Sequence, residues 1–471
     1  MPSYLAIDIG ASSGRHILGQ MRDGVLQTEE IYRFDNRMLE KNGHLCWDAE
    51  NLHAQVIAGL KECARRGERP VTVGIDTWAV DFVLLDQALA PLGDLVAYRD
   101  ARTHGMDALL EQTFPAESLY RRTGIAKQPF NTLYQLMAVF REHPEYRERA
   151  QHLLFVPEYL SFLLTGRMAN EYTNASTSAL LNAETAHWDS AVYGAANLPP
   201  ALFARQPVPA GTPLGPFSAG VAKELGFTST VLLPATHDTG SAFMAVPARD
   251  ANAVFLSSGT WSLLGTELPR PLCDEASRAA GFTNEGGYGG AIRYLKNIMG
   301  LWMLQRIRAE LNGAYRFEQM AQMAAESAYP ACIDAADPRF LAPENMTAEV
   351  HAALREQGEP APQSLGDTFR AVTLGLARCY QRSVTQLENL TGKRFTSINI
   401  VGGGSQNQVL NQMTADCTGL PVFAGPAEGT AIGNLAAQMI AAGELSGLAE
   451  ARQAIRRSFS VQTFLPQPPR G

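Results

Sequence analysis

Three apolar runs in this chain each end in a turn of small residues, and the turns lie far apart. Tyr4-Leu5-Ala6-Ile7 leads into Asp8-Ile9-Gly10-Ala11-Ser12-Ser13-Gly14-Arg15, Val254 to Leu256 into Ser257-Ser258-Gly259-Thr260, and Ile398-Asn399-Ile400-Val401 into Gly402-Gly403-Gly404-Ser405. A buried strand that ends this way exposes backbone N–H groups and hydroxyls, which together cradle phosphate oxygens. Gly10 and Gly14 are expected to supply backbone conformations barred to other residues. Alone, the first turn reads more readily as an ordinary hairpin, since it lacks both GxxxxGK[ST] and GxGxxG. Three such turns predict a nucleotide gripped from two halves of the chain.

The rest of the pattern supports two halves. At 471 residues the chain exceeds one ordinary core, and about 150 residues per domain implies two or three. Tyr4 to Ile9, Arg15 to Met21 and Val25 to Phe34 read as strands, with a hairpin signal at Asp23-Gly24. Leu52, Val56, Leu60 and Cys63 then recur at helical spacing behind Asp48 as N-cap, and Val71 to Ile75 is a further strand. The order β-β-β-α-β is expected to be duplicated in architecture after residue 250. There a hairpin around Ser257 to Thr260, a strand at Arg293 to Leu295, helices from Asn297 to about Leu311 and Asp367 to Leu390, a strand at Ser397 to Val401 and a helix from about Gln406 to Cys417 are expected. The spacing predicts an α/β protein of two domains, 1–247 and 248–471, broken near Val246 to Asn252. Residues 80 to 235 lie outside this plan. They hold a helix from Asn131 to Glu142 and a Pro/Gly-rich loop from Leu198 to Pro216, material suited to shaping a substrate pocket.

Composition excludes several classes. A formal charge of −8 argues against a nucleic-acid partner, which requires a basic face. Asp8 interrupts the first apolar stretch with no basic segment before it, so no signal peptide is expected. No apolar run reaches the roughly 18 residues of a membrane helix. The six cysteines are scattered without a CxxC pair, which suits reduced thiols in a cytoplasmic protein.

The candidate chemistry is carried by carboxylates. Asp8, at a strand end, is placed to hold a hydrated Mg²⁺ beside phosphates, or to cap a turn. Arg15 is suited to phosphate oxygens or to solvent. In Thr236-His237-Asp238-Thr239-Gly240, Asp238 is placed to accept a proton from an attacking hydroxyl, or to cap a helix. There is no GxSxG elbow and no HExxH, and His237 lacks the partners of a zinc site.

Further strings complete a pattern. Gly74-Ile75-Asp76-Thr77-Trp78, Tyr98-Arg99-Asp100, Phe130-Asn131-Thr132-Leu133-Tyr134-Gln135-Leu136, Glu171-Tyr172-Thr173-Asn174, His237-Asp238-Thr239, Ser257 to Trp261, Lys296-Asn297-Ile298-Met299-Gly300-Leu301-Trp302 and Gly402-Gly403-Gly404 occur in one order. Together with Asp8 to Arg15, the chain resembles the FGGY carbohydrate kinases from about residue 4 to beyond 440. The Asn-Thr-Leu-Tyr-Gln and Lys-Asn-Ile-Met-Gly-Leu-Trp strings are more particular to members that act on L-rhamnulose. The resemblance implies two actin-like, ribonuclease-H-like α/β domains with ATP and Mg²⁺ in the cleft between them. It implies transfer of the γ-phosphoryl group to the 1-hydroxyl of L-rhamnulose, with L-fuculose or a pentulose as alternative acceptors and a non-catalytic sugar sensor as the alternative class. A monomer or weak homo-oligomer is expected.

Carried over by motif, Ala11, Ser12, Ser13, Gly14 and Arg15 resemble the first phosphate loop and Thr260 the second phosphate contact. Gln305, Gly403 and Asn407 match nucleotide-side positions, Asp238 the general base, and His237, Thr239 and Asn297 sugar-side positions. Ala79 departs from the family's usual glycine at a sugar contact. Its methyl is expected to trim the pocket, or to cost stability if the backbone there needs positive φ.

Overall fold

The computed structural model describes residues 1–468. The chain resolves into two compact units. One takes Met1–Ala245 with Glu267–Tyr294 and Thr430–Ser458; the other takes Val246–Thr266, Leu295–Gly429 and the chain from Phe459.

The first unit is built on a six-stranded sheet. β1 (Tyr4–Ile9), β2 (Ser13–Arg22) and β3 (Val25–Asp35) form an antiparallel meander. All six residues of β1 are buried, as expected for a continuous apolar strand covered on both faces. A short hairpin of β4 (Met38–Lys41) and β5 (His44–Trp47) follows, which the β-β-β-α-β expectation lacked. The helix Ala49–Arg65 then starts on Asp48, whose carboxylate accepts from the Asn51 N–H at 2.9 Å, and buries Leu52, Val56, Leu60 and Cys63. β6 (Thr72–Thr77) runs parallel to β1 and places Asp76 opposite Asp8. β7 (Phe82–Leu85) and β8 (His152–Phe155) pair apart from the main sheet. β9 (Thr212–Pro216) and β10 (Thr230–Leu233) complete it in the order β3-β2-β1-β6-β10-β9.

β9 lies within the stretch expected to be loop. Its prolines, Pro213 and Pro216, are accommodated because it is an edge strand, where a missing N–H breaks no ladder. Leu5, Ile7, Val56, Leu60, Val73, Ile75 and Val231 share the core of the sheet. The inserted segment has its own core, in which Leu133, Leu136, Phe140, Leu153, Phe155 and Leu180 are buried.

The other sheet contains β11 (Ala253–Ser258), β12 (Trp261–Leu268), β13 (Thr283–Gly286), β14 (Ile292–Met299), β15 (Ser397–Val401), β16 (Val422–Ala424) and β17 (Gln462–Phe464). Its order is β13-β14-β12-β11-β15-β16-β17. The two sheets share a plan. β1 and β11 each pair antiparallel with the next strand and parallel with a distant one, and each sheet closes on an antiparallel edge pair. The duplication of architecture read from the sequence is therefore present.

One boundary is corrected. β14 runs through Asn297 to Met299, and the helix begins only at Trp302 and ends at Glu310. Gly300 makes the break. A Cβ there would sit 2.7 Å from the Ser262 backbone nitrogen, and the N–H groups of Leu301 and Trp302 donate to the carbonyls of Gly259 and Thr260 at 3.0 and 3.2 Å.

Candidate active site

The first turn closes through Gly10 N–H donating to Ser13 C=O at 2.9 Å, and the Asn36 side-chain amide donates to Gly10 C=O at 2.9 Å. Neither Gly10 nor Gly14 has positive φ, which corrects the expectation of a special backbone. Gly14 is needed for another reason. A Cβ there would lie 2.1 Å from the Phe34 ring on the neighbouring strand. Ser12 is exposed, Gly10, Ala11 and Ser13 are half-buried and Gly14 is buried, while Arg15 bends back onto Asp8 with Nη2 and Nε 2.8 and 3.0 Å from Oδ2.

Asp8 therefore sits at the end of a central strand with a cation beside it and a second carboxylate across the sheet. That second group, Asp76, is fully buried. The Asn434 amide donates to one of its oxygens, and Oδ1 has no hydrogen-bond partner. Burial pushes the Asp76 carboxyl well above its ordinary range, and the charges of Asp8 and Asp238 add to the effect.

Asp238 reaches the same strand ends through the backbone. Thr77 N–H donates to Thr236 C=O at 3.0 Å, extending β6 alongside the loop. His237 is the N-cap residue of the helix Asp238–Met244, and Asp238 is its first residue. Thr239 Oγ1 donates to Asp238 Oδ1 at 3.0 Å. Loss of hydration raises the Asp238 pKa, opposed by His237 and reinforced by Asp8. Its side chain still keeps 32 % of its surface open, so a carboxylate of raised pKa remains reachable from solvent. A base of raised pKa binds an incoming proton more strongly, which suits proton abstraction from a hydroxyl.

The loop before Asp238 rests on two buried acids. Glu171 Oε2 accepts from both the Thr236 N–H and its hydroxyl at 3.0 Å, and Glu158 Oε1 accepts from the same hydroxyl at 2.7 Å. Burial pushes Glu158 up to about 8.

Ala79 lies in a loop held by Asp81. The indoles of Trp47 and Trp78 donate to Asp81 Oδ2 at 2.7 and 2.9 Å, Tyr98 N–H donates at 3.1 Å, and Gln135 donates to Oδ1 at 3.0 Å. Burial pushes Asp81 up to about 6, against these donors. The positive φ in the loop belongs to Val80, at 70°, and not to Ala79.

The second unit brings together its own predicted residues. Thr260 closes the β11–β12 hairpin, and its hydroxyl donates to Gln305 Oε1 at 3.3 Å. The Gly-rich turn presses on the same strand end. Gly402 has φ 86°, and a Cβ there would lie 2.8 Å from the Ser258 carbonyl oxygen. A Cβ on Gly404 would lie 1.9 Å from Ser258 Oγ. Two of the three small-residue turns thus touch. Gly403 is exposed with open space around its α-carbon, and Asn407 caps the helix Gln408–Thr418 by accepting from Leu410 N–H at 3.1 Å. Asn297 is half-buried on β14.

Sequence reasoning gave no role to Asp76, Asp81, Glu285, Arg293 or Asn434. Asp76 had a usable signal: like Asp8, it follows an apolar strand. Asp81 and Arg293 bond both near and distant residues, Glu285 pairs with Arg293 eight positions on, and Asn434 reaches Asp76 across 358 positions. A cavity of about 600 Å³ in the first unit, lined by Tyr172, His187, Arg270 and Ile292 among others, includes none of the predicted site residues.

Among the described residues, no group of three or more His, Cys, Asp or Glu side chains is arranged to hold a metal. A hydrated Mg²⁺ asks less, since it keeps several waters and binds through one or two carboxylates. Asp8 and the unpartnered Oδ1 of Asp76 are oxygen donors of that kind.

Comparison with known proteins agrees with this architecture. Residues 3–245 match the N-terminal domain of the FGGY family of carbohydrate kinases and residues 254–442 its C-terminal domain. The chain is 46 % identical over 462 residues to a protein named rhamnulokinase from Halalkalibacterium halodurans, covering 98 % of each. It is 40 % identical to one of the same name from Bacillus subtilis, covering 98 % of this chain and 95 % of that one. Among solved structures, a ligand-bound xylulose kinase from Lactobacillus acidophilus superposes with TM-score 0.82 at 16 % identity, over 99 % of this chain and 94 % of that one. Plasmodium falciparum glycerol kinase with ADP gives 0.78 at 15 %, with the same coverage. No helix among the described residues is long and apolar enough to cross a membrane. The chain belongs to the FGGY family of carbohydrate kinases.

Proposed function

We propose that this kinase transfers the γ-phosphoryl group of ATP to the 1-hydroxyl of L-rhamnulose, with Asp238 as general base. The observation that carries the reading is the raised, partly open Asp238 carboxylate at the head of its helix, in a chain whose relatives over 98 % of its length are named rhamnulokinase. Phosphoryl transfer asks a protein mainly for positioning and charge neutralisation. Asp238 takes the proton of the sugar hydroxyl as that oxygen attacks phosphorus, and ADP leaves. His237, Thr239, Asn297 and Ala79 border the sugar. Ala11 to Arg15, Thr260, Gln305, Gly403 and Asn407 serve the nucleotide, through backbone N–H groups and the Thr260 hydroxyl.

Asp8, with Asp76 beside it, would hold Mg²⁺, which when bound supplies neutralisation of phosphate charge. The unpaired Oδ1 of Asp76 supports this. Cytoplasmic work is in keeping with the six free cysteines.

Asp238→Asn is expected to lower kcat by about 10² to 10⁴-fold while ATP still binds, as read by ADP release and by nucleotide titration. Near-normal turnover of the variant would remove Asp238 from the role. An ADP-release panel of L-rhamnulose, L-fuculose, L-ribulose, D-xylulose and glycerol, compared by kcat/KM, tests the acceptor. L-rhamnulose is expected to rank first.

A further inference from the structure

His237 adjoins Asp238, and histidine is the side chain most often used as a general base. A neutral imidazole has one basic lone pair, on whichever nitrogen lacks the proton. Nη2 of Arg293 lies 3.1 Å from His237 Nδ1 with hydrogen-bond geometry. A guanidinium carries donors and no acceptor, so Nδ1 must accept and the proton resides on Nε2. Nε2 in turn faces Asp238 Oδ1 at 3.4 Å.

The guanidinium is fixed from behind. Its Nε donates to Gly286 C=O at 2.6 Å, and Nη1 pairs with Glu285 Oε2 at 3.1 Å. The Arg293 side chain is wholly buried and that of Glu285 is 7 % exposed. Glu285 Oε2 also lies 3.4 Å from His237 Nδ1. That contact is longer than the one from Arg293 and, unlike it, does not have hydrogen-bond geometry. Other groups around the ring do not compete for its nitrogens. Thr173 Oγ1 accepts from the His237 backbone N–H, and Glu171 binds Thr173 and Thr236. Asp8 pairs with Arg15 and bears on Asp238 through its charge.

We propose that Arg293, braced by Glu285, is a positioning residue that locks His237 in the Nε2–H tautomer. The lock occupies the only lone pair of the ring, turns its proton toward the Asp238 carboxylate, and so reserves the base role for Asp238. The inference rests on the reading of Asp238 as the base.

The test uses the full chain labelled with ¹⁵N-histidine, the His237 signals being those lost in His237→Gln. In the unaltered protein the His237 Nδ1 resonance is expected at the position of an unprotonated nitrogen, with Nε2 protonated. The double variant Arg293→Met with Glu285→Gln leaves no unpaired buried charge. It is expected to show mixed tautomers and a kcat lower by up to about 100-fold through misplacement of the base, with KM for ATP unchanged. Arg293→Lys keeps a donor and is expected to recover the tautomer and most of kcat. A proton on Nδ1 in the unaltered protein overturns the proposal, even if the double variant does not fold. Unchanged kcat and tautomer in the double variant also overturn it. Asp238→Asn is assayed alongside: normal turnover there defeats the base assignment while the tautomer measurement still reports on Arg293.

Discussion

Val80, not Ala79, carries the strained backbone of the Trp-Ala-Val-Asp loop. A left-handed conformation costs a residue with a Cβ about 1–2 kcal/mol. The loop withstands it because Thr132 and Gln135 donate to the Val80 carbonyl at 2.8 and 3.2 Å and Asp81 gathers four donors. Restoring glycine by Ala79→Gly should therefore relieve no strain. It is expected to cost about 0.5–1 kcal/mol through chain entropy and to change the ranking of ketoses by kcat/KM. Thermal melts and the acceptor panel check both halves. An unchanged ranking would mean that the methyl does not border the sugar. Asp81→Asn turns an all-acceptor group into one that also donates, against four donors, and is expected to cost about 1–3 kcal/mol in a urea melt.

At the scale of elements, strands and helices were legible where apolar period and caps agreed. β1, the Asp48-capped helix and the β11–β12 hairpin follow directly from residue pattern. The break before Trp302 was not, because it depends on how closely Gly300 approaches the Ser262 backbone, a contact between distant residues. Gly14 teaches the same lesson. Its need for a missing side chain comes from Phe34 on the next strand, not from its own dihedral angles. Gly14→Ala is expected to destabilise the β2–β3 pair by about 1–3 kcal/mol through overpacking, and Phe34→Leu in the same chain should recover part of the loss. If Gly14→Ala alone melts normally, the ring moves aside freely and the packing argument fails.

At the scale of the molecule, the carboxylates of the site were individually visible in the sequence, yet their meeting was not. Asp8, Asp76 and Asp238 sit on separate strands or helices, and only the parallel register of β1 and β6 and the Thr77–Thr236 bond bring them together. The buried acids also set a pH dependence for the whole fold. The folded-state pKa of Glu158 is pushed from 4.5 up to about 8 by burial, so the folded state holds the proton more tightly. Stability is fully present below 4.5, falls as pH rises, and the loss is complete above about 8. Asp81 adds a smaller loss between 3.8 and about 6. Melting temperature is expected to drop across these windows, and Glu158→Gln should flatten the upper part; a slope unchanged in that variant would reassign it.

The helix Gly429–Ala441 has a further consequence. Its Asn434 and Gln438 amides donate to the carbonyls of Gly74 and Leu5 at 3.1 and 3.0 Å, and Gln438 accepts from the Thr72 hydroxyl at 2.6 Å. β1 and β6 thus wait for a segment 360 to 433 positions later to satisfy these polar groups. A ribosome-bound chain cannot satisfy these groups from this helix until residues 434 and 438 have emerged, so the nascent protein carries them unsatisfied by it through the synthesis of several hundred residues.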